Sequence, residues 1–491
     1  MILHIDGGRV TLATFRAALE PGSSLAPAAD IRQRIAQGHA TVTALAAGET
    51  PIYGLNTGLG GNVNHRLAAD EIAAHQLGVI EGRAVAVGPA LPRETGRATL
   101  LARILSAAQG RTGLSPDLFD HLVAVYNAGL SPVIPAHGSI GAGDLAQAAM
   151  WARAILGRGE MWAGDTRREA RAALAEAGLD PPSLGPRDGL ALVGHGGVTV
   201  ALGASALEAA RRRMQAARVA ALMSLAGYGA HRGVLEAQVN ALRLAPGQAE
   251  TAAWLRSRLE GCEDAPRRIQ EALSFRTLAP VLGAASETTE GAIATWEDEA
   301  NGISDSPVLT DDGGMLSTAN FVAPALSLSM ESVTLAAAMV ATGACQRIQR
   351  MMDPRLSGLP RYLSPVGGAS AGMVPLQKTA MALLGEIRHA STPTALDPPP
   401  VSDTVEDMAP QTPAVARKLS KQMADLRLLL GAEALVAAQA IDLRGPDSVG
   451  GVVARMHARL RAELPPVSED RPLGPEVEQA AELLESEAAN I

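Results

Sequence analysis

Two glycine-rich stretches hold the residue types best suited to acid–base work in this chain. In "ETPIYGLNTGLGGN", Tyr53 sits among Gly54, Gly58, Gly60 and Gly61, where backbone can approach a ligand closely. A phenol acidified by its neighbours can serve as a general base. A tyrosine packed in place and bonded to backbone accounts for the same residue. In "PAHGSIGAGDLAQAAM", Asp144 stands immediately before an alanine-rich run, where it reads as an N-cap. The glycines ahead of it would set backbone N–H groups at the positive end of that helix, and an ordinary capped helix has the same pattern.

The elements that must position these loops are helical. "DIRQRIAQGHATVTALAAGE" places Ile31, Ile35, Val42, Leu45 and Ala46 near one face, and "RATLLARILSAAQG" repeats the pattern up to a C-terminal glycine at Gly110. From Gly189 to Leu244, and from Ala325 to Met352, long Ala/Leu/Met stretches with few breakers predict long helices, while strand-like alternation is rare. Aromatic residues make up only 2% of the chain, so the core is built from Ala, Leu, Val and Met, which favours closely approaching helices. The expected fold is mainly α: a bundle of long antiparallel helices with a smaller loop-rich N-terminal part. The expected division is 1–190, with Tyr53 and the 138–144 loop; 191–464, the long-helix bundle; and 465–491, a tail in which Pro475 opens a short final helix.

The 51 acidic and 42 basic residues are spread without long like-charged blocks, which argues against a nucleic-acid footprint. No apolar span long enough for a membrane runs free of charge, Glu331 interrupting the best candidate. Cys262 and Cys345 lack the spacing of a disulfide framework or zinc site, which fits a reducing, cytoplasmic setting, and no histidine or carboxylate spacing suggests a metal.

Seven segments in order, "IYGLNTGLG", "SPVIPAHGSIGAGDLAQ", "RDGLALVGHGG", "IQEALSFRTLAPVLGA", "EANGISDSPVL", "LSTANF" and "VEDMAP", resemble the histidine and phenylalanine ammonia-lyase family over roughly residues 8 to 460. The resemblance implies a homotetramer whose sites draw on three subunits. It also implies an electrophile, a methylidene-imidazolone cyclised from Ala-Ser-Gly, because removing an unacidified β-proton and expelling ammonia are two problems that one base cannot solve. Here the stretch reads Gly138-Ser139-Ile140-Gly141-Ala142-Gly143-Asp144. The serine between Ala142 and Gly143 is missing. Ser139 cannot replace it, since Ile140 and not glycine follows, so the expectation is that the electrophile does not form and that no cofactor is present.

By the same resemblance, Tyr53 matches the catalytic base, Arg276 the arginine that holds the substrate carboxylate, Asn320 an active-site asparagine, and Glu406 the glutamate facing the substrate in histidine-acting members. Other positions depart. Gly194 replaces an asparagine that supports the electrophile, with His195 following; Arg83 stands where histidine-selective members carry histidine; Val405 replaces a usual glutamine and Leu273 a common tyrosine. Lys378, in an apolar helical segment, would suit an anionic sulfur if it faces the site and is otherwise a solvated lysine. Arg83 is a substrate contact or a surface arginine, and His195 a replacement polar contact or a residue packed among glycines. Groups that build the electrophile are lost while groups that bind a carboxylate and move a proton remain. That pattern suits elimination of a group that leaves unaided, such as a quaternary ammonium. Such chemistry resembles that of the ergothionases, ring-less members of the superfamily that release trimethylamine from ergothioneine, the 2-thiol betaine of histidine. The expected ligand is therefore a small carboxylate. The alternatives are ordinary ammonia-lyase activity towards histidine or an aromatic amino acid, and an inactive carboxylate-binding scaffold.

Overall fold

A computed structural model describes residues 1–68, 71–264, 266–395, 400–402 and 404–491. The protein is mainly α, as the periodicity predicts. The helix Ala29–Ala47 buries Ile31, Ile35, Val42 and Ala46, and the helix Arg93–Ala107 is followed by Gly110 at φ +77°. Strands are short and confined to two- and three-stranded ribbons, among them Ile2–Ile5 parallel to Ser24–Pro27 and Val87–Ala90 antiparallel to Pro135–His137.

The chain forms two compact units, each assembled from three segments: residues 1–205, 293–328 and 394–417 in the first, and 206–292, 329–393 and 418–491 in the second. This differs from the contiguous division at 190 and 464. The chain returns to the first unit twice, bringing the polar turns near 301–316 and 400–412 to it, and linear composition cannot register such returns.

In the first unit, Val42, Ala46, Ile52, Leu55, Ile72, Leu309 and Met315 form an apolar cluster from four separate segments. It is the floor on which the Tyr53 turn rests. Trp296 is fully buried, meets Phe15 edge-on at 5.2 Å, and donates its indole N–H to the Val200 carbonyl at 2.9 Å. In the second unit, small residues permit close helix approach, as expected of an alanine-rich core: a Cβ on Gly227 would lie 2.9 Å from the Ala437 carbonyl oxygen. A buried ion pair, Arg347–Glu433, is completed by Ser224, whose hydroxyl donates to the same carboxylate at 2.7 Å.

The long apolar run beginning at Gly189 is corrected in two places. It breaks between the helices Asp188–Val193 and Gly197–Tyr228, and it ends at Tyr228, where Gly229 takes φ +71°; Leu242 and Leu244 beyond it are 86% and 99% exposed. Two stretches, Asp188–Tyr228 and Pro324–Met351, are by length and composition apolar enough to cross a membrane, which the charge-interruption argument overlooked. The most apolar window of the first is 94% buried in the protein, the property of a core helix. The final helix, Gly474–Ala488, has Pro475 in its first turn as predicted.

Candidate active site

The Tyr53 turn is built by its own polar residues. Asn56 accepts from the Ile52 amide at 2.8 Å and donates to the Thr50 carbonyl at 3.0 Å, while the Thr57 hydroxyl accepts from the Gly54 amide at 3.3 Å. Ile52 and Leu55 point into the apolar cluster and leave Tyr53 half-buried between them. Gly54, at φ +64°, seats the turn on the helix Asp188–Val193: a Cβ there would lie 2.3 Å from Leu190, closer than any side chain allows. The phenol oxygen of Tyr53 accepts from the Gly60 amide at 3.2 Å, a donor that a phenolate would keep.

Two charged groups join it. Burial holds the Arg83 guanidinium below its usual range, and the charges of Tyr53 and then Glu406 oppose that shift, which puts all three side chains in one electrostatic neighbourhood. Arg83 lies just beyond the helix Glu71–Glu81 and donates to the Val79 carbonyl at 3.3 Å. Glu406 sits at a tight turn where its backbone bridges Val401, and its carboxylate accepts from Ser402 at 2.9 Å. All three are half-buried, and each makes one side-chain hydrogen bond among the described residues. The arginine that the sequence leaves as either a surface residue or a substrate contact is thus half-buried and within electrostatic reach of the expected base.

The loop 138–144 is stitched to the segments that carry the other candidates. Its approach strand, Pro135–His137, pairs with Val87–Ala90 just after Arg83. The Ile140 carbonyl accepts from the Gln411 amide at 2.9 Å, downstream of Glu406, and the Gly143 amide donates to the Phe321 carbonyl at 2.9 Å, next to Asn320. Ala142 bridges Val322, and Asn320 itself is exposed. Gly141 and Gly143 take φ +84° and +78°, so the turn relies on residues without a side chain.

Asp144 is not the cap expected of it. It occupies the position before the helix Leu145–Ile155 at φ +48° and makes no side-chain bond to that helix. Its fully buried carboxylate instead accepts from the Thr199 amide at 2.7 Å, the Thr199 hydroxyl at 3.0 Å and the Val198 amide, so it caps the helix Gly197–Tyr228. Burial pushes the carboxyl up, and these bonds, with one from Ser139, pull it back. Ser139, the one hydroxyl in the loop, donates to Asp144 at 2.6 Å and accepts from the Gly141 amide at 3.0 Å. The residues present do not fit a methylidene-imidazolone: no serine lies between Ala142 and Gly143, and the Gly143 nitrogen that would have to attack is hydrogen-bonded elsewhere.

His195 supports the fold. Its Nδ1 accepts from the Gly197 amide at 2.9 Å, so Nε2 is left to donate to the Leu192 carbonyl at 3.1 Å, and Trp151 meets the ring edge-on at 5.7 Å. Burial first, and the Arg103 charge second, hold it well below the usual histidine range. With both nitrogens engaged by backbone, the neutral ring has no polar atom for a substrate.

Arg276 and Lys378 belong to the second unit. Arg276 ends the short helix Leu273–Arg276, anchored by Phe275, which stacks on Tyr228 at 4.2 Å; Tyr228 in turn donates to Glu271 at 3.1 Å. Lys378 is exposed on the helix Val374–His389, as are Leu273 and Val405 in their own segments.

Sequence reasoning missed a group of buried charges behind the loop. Arg103 and Asp305 form a fully buried bidentate pair at 2.7 and 3.0 Å, with Arg187 at 3.7 Å from the same carboxylate. Glu299 is pushed up to about 7 by burial and then by Asp144. The segment "EDEANGISDSPVL" carried both acids, and its polar density was the available signal.

Residues 10–462 match the family described as aromatic amino acid lyase. Histidine ammonia-lyase from Symbiobacterium thermophilum is 33% identical over 484 residues, covering 97% of this chain and 96% of its own. Among solved structures, ergothionase from Treponema denticola, in complex with desmethyl-ergothioneine sulfonic acid, superposes with a TM-score of 0.95 at 28% identity over the whole of both chains. Histidine ammonia-lyase from Trypanosoma cruzi gives 0.92 at 27%, covering 99% of this chain and 94% of that one.

Proposed function

The chain belongs to the aromatic amino acid lyase family, and within it we propose a carbon–nitrogen lyase that works without the methylidene-imidazolone, eliminating trimethylamine from ergothioneine or a related histidine betaine. The observation that carries this reading is the pairing of a loop that lacks the ring-forming serine with the half-buried groups Tyr53, Arg83 and Glu406. The likeness to an ergothionase structure supports it.

The step balances with the chain's own groups. Tyr53, as phenolate, takes the β-proton; the C–H electron pair becomes the C=C bond; the C–N pair departs with neutral trimethylamine. A quaternary nitrogen has no N–H for an electrophile to capture, so covalent activation adds nothing to its departure. Arg276, at the position of the family's carboxylate-holding arginine, fixes the acid, and Lys378 meets the sulfur. Glu406 and Arg83 set the charge around the ring and the phenol. The complete site belongs to a homotetramer with sites shared between subunits, which light scattering of the purified protein tests.

Incubation with ergothioneine is expected to release trimethylamine and to raise near-ultraviolet absorbance as the conjugated acid forms. Release of ammonia from histidine, with betaines inert, would instead establish the ordinary ammonia-lyase reading, which the 33% identical histidine ammonia-lyase favours.

A further inference from the structure

Glu299 has no part in the elimination as written, yet it sits directly behind the loop. Its carboxyl lines a cavity of about 10 Å³ together with Arg103, Ser106, His195, Gly197 and Ser304. That volume is at the lower limit for a single water. Oε1 lies 4.0 Å from where a Cβ on Gly196 would project, at the start of the helix that Asp144 caps.

Among the described residues, the positive charges nearest the cavity are already paired with Asp305. Arg103 is committed to Asp305, and its Nε has no partner; the Ser106 hydroxyl likewise has none. His195 is neutral with both nitrogens engaged, and the Ser304 hydroxyl accepts from the Gly196 amide at 2.9 Å. Arg187 faces Asp305. The remaining charges are Asp144 and the half-buried Arg417, whose charge acts on Asp144. Asp144 collects donors from Ser139, Val198 and Thr199, which suit an ionised carboxylate, whereas Glu299 collects none among the described residues. Of two acids buried against the start of one helix, Glu299 beside Gly196 and Asp144 on Thr199, the one without donors keeps the proton.

We propose that Glu299 is a positioning residue for the site: while it holds its proton, Asp144 stays ionised and clamps the loop 138–144 to the first turn of the helix Gly197–Tyr228, and loss of that proton loosens the clamp. The relevance to catalysis rests on the function proposed above, because the loop's backbone bonds to Gln411 and Phe321 align the segments bearing Glu406 and Asn320. Burial and Asp144 bring Glu299 up to about 7, so the change falls near neutrality.

The test is amide hydrogen exchange of the full chain at pH 6 and pH 8.5, read on the peptide spanning 138–150 and corrected for the intrinsic pH dependence. The wild type is expected to exchange about tenfold faster at the higher pH, Glu299→Gln to show no such rise, and Glu299→Asp, which still titrates, to restore it. A flat wild type, or a rise that persists in Glu299→Gln, overturns the proposal. The readout needs no turnover, so a failure to release trimethylamine would refute the proposed reaction and leave this result standing.

Discussion

The turn around Tyr53 and the loop ahead of Asp144 are both glycine-rich, and they use their polar groups in opposite ways. In the second, every strong group has an internal partner: Ser139 bonds Asp144, Asp144 bonds Thr199, and nearby His195 is held by backbone at both nitrogens. In the first, Tyr53, Arg83 and Glu406 are half-buried with one hydrogen bond apiece and keep capacity for a ligand. A polar group satisfied by the fold positions; one left partly unsatisfied at a surface recognises or reacts. The loop ahead of Asp144 thus spends its polar groups on the fold, whereas the Tyr53 cluster keeps its own at a partly open surface.

The sharpest way to break this contrast is Tyr53→Phe. Loss of a general base should lower kcat/KM for trimethylamine release by about 10³, with an unchanged circular dichroism spectrum. Turnover that survives would move the base elsewhere. Asp144→Ala should do the reverse, acting on the fold: it strips a buried cap from the helix Gly197–Tyr228 and should cost about 3 kcal/mol of stability in urea denaturation.

Glu299 gives an effect of similar magnitude whose size depends on pH. Its folded pKa is raised from 4.5 to about 7, so the unfolded chain gives up this proton first, and stability falls as pH rises from about 4.5 to about 7, then levels. That difference corresponds to at most about 3 kcal/mol. Glu299→Gln cannot ionise, so its denaturation midpoint should gain on the wild type's between pH 5 and pH 8 by up to that amount. Parallel pH profiles would contradict the assignment. The smallest change expected is Ser139→Ala, which removes one bond to Asp144 and one from the Gly141 amide and should cost about 1 kcal/mol, measured the same way.

Much of the fold was legible because helical periodicity is local. The faces of Ala29–Ala47, the glycine after Arg93–Ala107 and the proline opening the last helix all follow from neighbours within a few residues. Periodicity does not say what lies opposite a face, and the misreadings share that cause. Asp144 was read as the cap of the helix it precedes, but the amide it serves is 55 positions away. The apolar run to Leu244 looked continuous because exposure is set by what packs against it, and Leu242 and Leu244 are exposed among the described residues. The polar density around Glu299 marked its segment but not its burial, which, like the charge of Asp144, comes from other parts of the chain. Tyr53 stood out by its glycine-rich loop, Glu406 and Arg83 by resemblance, and only three dimensions put their charges within reach of one another.

The central claim is that carbon–nitrogen bond cleavage here needs no electrophile made from the chain. Sodium borohydride adds hydride to a methylidene carbon and would disable any such ring, while leaving a phenol, an arginine and carboxylates untouched. The direct measurement is therefore the rate of trimethylamine release from ergothioneine before and after borohydride treatment. Equal rates are predicted; absence of release, or release abolished by the treatment, would contradict the account.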